Sequence, residues 1–278
     1  MRGIWPAIYA VVAGTAGLAV MAAAGAPRTA LVIQTAALAV GGAIAGFLAR
    51  GRRPIPNALV LPGLALGAVL IGLPLLVGPD VEGVRRWLQA GPLLIQPAMI
   101  VLPPMVWLYA RDETVWVGKG VAVIAAGLLA LQPDQAGGMA LAMALMACVI
   151  VRRRRRGTTA TADTMVFTAA MTFQFWGGMG GDPLPAVAHV ELAAESVFAA
   201  NAAFGVLAWL VLLTLPLPLL LYRRGDPANI IMACLWIGLI GAAIFKNYPE
   251  PIIGYSASLA LGWMISLGLV ARKPQEPT

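Results

Sequence analysis

Ten apolar runs follow one another along this chain, and little polypeptide separates them. They fall at about residues 4–24, 29–48, 58–77, 92–109, 115–131, 137–151, 162–178, 192–221, 229–245 and 253–270. A helical membrane crossing takes about 20 residues, so ten of them use roughly 200 of the 278 present. What remains is loop and tail, too little for a soluble domain. Hydrophobic residues make up 60% of the chain, charged residues 11%, and mean hydropathy is +0.84. A soluble domain is roughly 45–50% apolar and about 25% charged. The composition therefore excludes a soluble enzyme, a disordered chain and a nucleic-acid-binding domain. The expected fold is all-α: one polytopic transmembrane helix bundle over residues 1–278, with about ten helices. The first run resembles a signal sequence but is too long for one, so it is expected to remain as the first helix.

The positive charges orient this layout. With both termini in the cytoplasm, the loops on the inner side hold all of the 19 Lys and Arg residues except Arg28, Arg85, Arg86 and Lys246. Short loops rich in Lys and Arg stay inside. The run from Arg152 to Arg156 reads either as a solvated cytoplasmic anchor or as a site for anionic lipid. Cys148 and Cys234 sit inside apolar runs and behave as small hydrophobes. His189 is the single histidine, so bis-histidine haem ligation within the chain is excluded and a zinc site is not expected. No internal repeat of the kind that marks many secondary transporters is apparent.

The polar residues gather in four short segments. The first holds Gly83, Arg85, Arg86 and Trp87, then Gly91 and Gln96-Pro97. Outer-side arginines pair with Asp80 or Glu82, or they meet phosphate, whose geometry guanidinium matches. The second is Gln132-Pro133-Asp134, where proline stops a helix. Asp134 either caps the next helix or faces a cavity, as ionisable groups at membrane depth often do. The third runs from Gln174 through a glycine-rich stretch and Asp182-Pro183-Leu184-Pro185 to His189, Glu191, Glu195, Ser196 and Asn201. A helix starting near His189 would set Glu191 and Glu195 one turn apart. That pair then serves either as general base and cation site or as favourable charge at a helix N-terminus. The fourth runs from Asn247 through Glu250, Pro251, Gly254, Tyr255 and Ser256 to Ser258. It is irregular backbone that must be buried in protein or line a wet cavity.

In this order the four segments resemble those of the SEDS family (shape, elongation, division and sporulation proteins of the bacterial cell wall). Gly83 to Trp87 with Gly91 and Gln96-Pro97 resembles the family's G-x-x-R-W…G…Q-P-S-E. Gln132-Pro133-Asp134 matches its Q-P-D. Leu184-Pro185 with His189-Val190-Glu191 resembles L-P-E-x-H-T-D. Glu250 to Ser258 resembles L-P-F-I-S-Y-G-G-S. The resemblance covers residues 79–272. Where the family has Ser, Glu and Lys after Q-P, this chain has Ala98, Met99 and Leu102, and Glu191 stands where the family has aspartate. The outer loop before the eighth run is short.

The resemblance implies a multi-pass protein of the bacterial cytoplasmic (inner) membrane that polymerises glycan from lipid II, a polyprenyl-pyrophosphate-linked substrate. It also implies a membrane partner such as a transpeptidase, and no nucleic acid. Carried over, the base is Glu191, with Glu195 competing for the position. Arg85 and Arg86 face the diphosphate. Trp87, Gln96, Asp134, His189, Tyr255, Ser256 and Ser258 complete the expected substrate site. The one cofactor this reading admits is a divalent metal ion. Two alternatives stand beside it: a non-catalytic SEDS-like scaffold that binds lipid or a membrane partner, and a small transporter or lipid flippase.

Overall fold

The computed structural model describes residues 5–51, 55–111, 116–156, 161–178, 184–245 and 248–272. Arg2, Arg52, Arg53, Asp182, Pro183, Lys246, Asn247 and Lys273 lie outside the described residues.

A helix occupies each apolar run. They are α1 (Trp5–Ala23), α2 (Arg28–Arg50), α3 (Val60–Val77, entered through a 3-10 turn), α4 (Pro97–Arg111), α5 (Trp116–Leu131), α6 (Gln135–Arg156) and α7 (Thr161–Gly178). After these come α8 (Ala193–Ala200), α9 (Ala202–Thr214), α10 (Leu217–Leu221), α11 (Pro227–Ile244) and α12 (Ala257–Ala271). Among the described residues, five helices are long and apolar enough to cross a membrane: Trp5–Ala23, Arg28–Arg50, Asn57–Val77, Gln135–Arg155 and Pro227–Ile244. Trp116–Leu131, Ala202–Thr214 and Ala257–Ala271 are shorter apolar helices. Large apolar side chains such as Phe47, Leu76 and Phe175 point outward, the pattern of a multi-pass membrane protein whose outer surface meets lipid rather than water.

The core centres on α11 and α12. Trp236 and Trp263 are fully buried. The Trp236 indole N–H donates to Ser266 Oγ at 2.9 Å, and that hydroxyl donates back to the Gly262 carbonyl at 2.8 Å. A buried indole needs such a partner. Around them α12 packs on α2 and α4, and α11 packs on α6. Gly262 brings α12 against α4 so closely that a Cβ there would collide with the Met99 carbonyl, the use that membrane helices make of small residues.

The structure corrects the sequence reading at three places. One short element of this helical fold is not a helix. Leu88–Ala90 (β1) and Leu93–Ile95 (β2) form a two-stranded antiparallel hairpin, so the helix expected from residue 92 begins at Pro97. Gly91, at φ 60°, opens the two-residue turn, at the position where a type II′ hairpin takes glycine. The run at 192–221 is three helices, not one. Asn201 ends α8 and caps α9 by accepting the Phe204 N–H at 3.2 Å, and Pro216 separates α9 from α10. Finally, α8 starts at Ala193, so Glu191 precedes the helix and is not one helical turn from Glu195.

Candidate functional site

All four predicted segments meet at one end of the bundle, where α4, α6, α8 and α12 begin. The segment 248–258 joins them. Ser258 sits in the first turn of α12, and its hydroxyl oxygen accepts the Gln96 N–H at 2.9 Å. The Gln96 side-chain amide then donates to Asp134 Oδ2 at 2.7 Å. Asp134 is fully buried and caps α6, its Oδ1 accepting the Gly137 N–H at 2.9 Å. Segments one, two and four are therefore linked in a single buried polar chain. Gln132, also buried, donates to the Ile71 carbonyl and anchors the turn to α3.

The third segment is tied to the fourth through backbone. The Glu250 N–H donates to the Val190 carbonyl at 2.9 Å, and the Tyr255 N–H donates to the His189 carbonyl at 2.9 Å. Gly254 lets the two strands of backbone approach, since a Cβ there would collide with the Val190 carbonyl. Ile252, wholly buried, is held at φ 72°. That region is costly for a β-branched residue and persists only where the surroundings enforce it. Ser256 N–H donates to Gln34 Oε1 at 3.2 Å, which brings α2 to the same segment.

Glu250 was not singled out from the sequence, where it stood only as one residue of an irregular stretch. It is buried, and its Oε2 accepts the Ala194 N–H at 2.8 Å, at the start of α8. Removal from water pushes its carboxyl up to about 7, against the opposing pull of the Ala194 and Ala193 amides. The nearby Glu195 and Glu191 carboxylates push the same way as burial. Of the two predicted bases, Glu191 turns back to accept the Val187 N–H at 2.8 Å. Glu195 lies in the first turn of α8 and is exposed. His189 and Tyr255 are partly buried beside them.

The two predicted arginines part company. Arg85 is exposed and pairs with Asp80 at 3.1 Å. Asp80 is held below the usual carboxylate range first by the Gly83 N–H and then by Arg85. Arg86 is buried, its guanidinium 4.5 Å from the centre of the Trp87 ring and 5.5 Å from that of Tyr248. Tyr248, another residue missed in the sequence, thereby joins the first segment to the fourth. Among the described residues no group of three His, Cys, Asp or Glu side chains is placed to hold a metal ion.

At the opposite end of the bundle, one arginine of the 152–156 run is not solvated as expected. Arg152 is buried and pairs with Asp163 of α7 at 2.5 Å. Its other terminal nitrogen donates to the Tyr109 carbonyl at 2.7 Å, and the Tyr109 hydroxyl donates to Asp163 at 2.9 Å. Arg153, Arg154 and Arg155 are exposed.

The overall architecture is similar to that of proteins of known structure. Thermus thermophilus rod shape determining protein RodA, as a point mutant, matches with TM-score 0.67 at 22% identity over 96% of this chain and 95% of its own. RodA without that mutation matches with TM-score 0.64 at 19% identity, over 96% and 94%. A chain from a peptidoglycan synthase complex, described for its coordination of polymerization and crosslinking, matches with TM-score 0.62 at 19% identity, over 96% and 95%. No family model matches the sequence, and no curated protein matches it. The chain therefore has the RodA-type fold over nearly its whole length, in agreement with the SEDS resemblance of its four segments.

Proposed function

We propose that this chain is a SEDS-like protein of the bacterial cytoplasmic membrane, crossing it ten times with both termini inside, and that it polymerises glycan from a polyprenyl-pyrophosphate-linked donor such as lipid II. One observation carries this reading. Four segments far apart in sequence, each resembling a family motif, converge on residues 248–258 at the end of the bundle that the charge rule assigns to the outside. In the reaction, Glu195 or Glu191 takes the proton from an acceptor sugar hydroxyl. That oxygen bonds to the anomeric carbon of the donor as the bond from this carbon to the diphosphate oxygen breaks. Arg86 and Arg85 offset the charge on the departing diphosphate, as preorganised cations do elsewhere. Glu250, which accepts the Ala194 N–H at the start of α8, positions the helix that carries Glu195. The partner is a membrane-anchored transpeptidase, by analogy with the synthase complex whose chain shares this fold.

A second reading, a non-catalytic scaffold, is favoured by α4. Ala98, Met99 and Leu102, which replace the family's Ser, Glu and Lys, are each only 1% exposed and are part of the apolar core. A gel assay separates the two. Purified chain is given labelled lipid II and divalent metal, with and without co-purified partner, beside Glu191→Gln and Glu195→Gln. Glycan ladders lost in one variant support the polymerase. No ladder in any condition, from folded protein that still holds its partner, supports the scaffold.

A further inference from the structure

An apolar groove of about 560 Å³ opens between α1, α2 and α12. Ala7, Ala10 and Gly14 form one wall, and Gly42, Gly46 and Gly268 form the floor and the other wall. The gap is built into the packing. The far side of α1 is fastened by the Tyr9 hydroxyl, 2.6 Å from Thr214 Oγ, and by the Tyr9 ring against Trp263. Farther along α1, Gly14 and Gly17 sit close against Leu38 and Ile252. At Gly42 a Cβ would meet nothing within 4 Å.

The groove's length and the charge at one end point to its occupant. It follows α2 from Thr35 to Ala49, about 21 Å at 1.5 Å per residue. That is enough to pass the middle of a hydrocarbon layer about 30 Å thick. An extended hydrocarbon chain can lie along a groove of this length. The end beyond Ala49 and Ala271 is basic. The Arg50 guanidinium lies over Gly46, 3.9 Å from where its Cβ would be, and the Arg272 guanidinium lies 2.9 Å from the corresponding point on Gly51. Ala49 and Ala271, their neighbours in sequence, line the groove's last turn.

We propose that this groove holds one acyl chain of an anionic phospholipid, with the lipid phosphate at Arg50 and Arg272. The site lies at the opposite end of the bundle from the 248–258 segment and does not depend on the polymerase reading. The test uses delipidated full-length protein titrated with phosphatidylglycerol or phosphatidylcholine of the same acyl chains, read by native mass spectrometry. Phosphatidylglycerol should bind in preference to phosphatidylcholine. Arg50→Gln and Arg272→Gln should each weaken it about fivefold, the effect of one basic residue near an anionic headgroup. A Cβ at Gly42 enters open space, and Gly42→Leu should abolish binding of both lipids at this site. Gly46→Leu serves the same purpose if the first variant aggregates. Unchanged binding in a folded groove-filled variant, or equal affinity for the two lipids, would overturn the proposal. So would a photoactivatable side chain at position 42 that crosslinks a protein instead of lipid.

Discussion

Arg152 and Arg86 are both buried arginines, one at each end of the bundle, and they are held by different means. Arg152 closes on a carboxylate. Asp163 and Tyr109 come from α7 and α4, both packed against α6, so regular helix packing supplies these partners. Arg86 lies on the faces of Trp87 and Tyr248 and is carried, like them, by non-helical backbone. Stacking uses the plane of a guanidinium while its rim carries the hydrogen-bond donors, so one arginine can do both at once. The first arrangement locks helices together. The second presents a cation within a cluster of polar segments. Charge that serves structure is built here from helices, and the candidate site is built from loops.

The largest effect should come from breaking the Arg152–Asp163 pair. Asp163→Ala leaves a buried guanidinium without its carboxylate and should cost about 3–5 kcal/mol, seen as a large drop in thermal unfolding temperature in detergent. Replacing Arg152 and Asp163 together by Met and Leu should recover most of that loss. At the other end, Arg86→Lys removes a planar ion from two rings. It should cost only about 1–2 kcal/mol of stability, yet reduce glycan ladders at least tenfold on the scale of lost transition-state charge stabilisation. Equal effects of both kinds of variant on stability would erase the distinction between the two ends.

Glu250 sharpens the comparison through pH. Its carboxyl is raised in the folded protein to about 7 from 4.5. Between those values the unfolded chain has released the proton and the folded chain keeps it, so stability falls as pH rises from about 4.5 to 7 and levels off above. Glu250→Gln should flatten that part of the profile, measured as unfolding temperature against pH. The smallest effect belongs to Arg85→Ala. The Arg85–Asp80 pair is exposed on both sides, and such pairs contribute little and are screened by salt. Its unfolding temperature should not differ measurably from wild type.

The contrast also explains how far the sequence could be read. Apolar runs reveal helices because burial in lipid demands them, and each run is largely helical. The cap at Asp134 was legible because capping is local: acceptor and amide are three residues apart. The four polar segments were legible as segments through their prolines, glycines and charges. Their meeting was not, because it rests on contacts such as Gln96 with Ser258, 162 residues apart, and Glu250 with Ala194, 56 apart. Nothing local marks Asp163, and its partnership with Arg152 exists only once α6 and α7 pack. The break at Asn201 was visible as one polar residue, but the hydropathy of the surrounding run outweighed it. Gly91 carried the hairpin signal, hidden by Leu93, Leu94 and Ile95 continuing the apolar stretch.

The central claim is that residues 248–258 hold the other segments in one unit, and amide hydrogen exchange of wild type and Gly254→Ala tests it most directly. The added Cβ meets the Val190 carbonyl and must push the two segments apart. The account predicts faster exchange at 187–194 and 88–96 together with 248–258, while residues 152–163 at the far end keep their protection. Faster exchange confined to the residues around position 254 would contradict it.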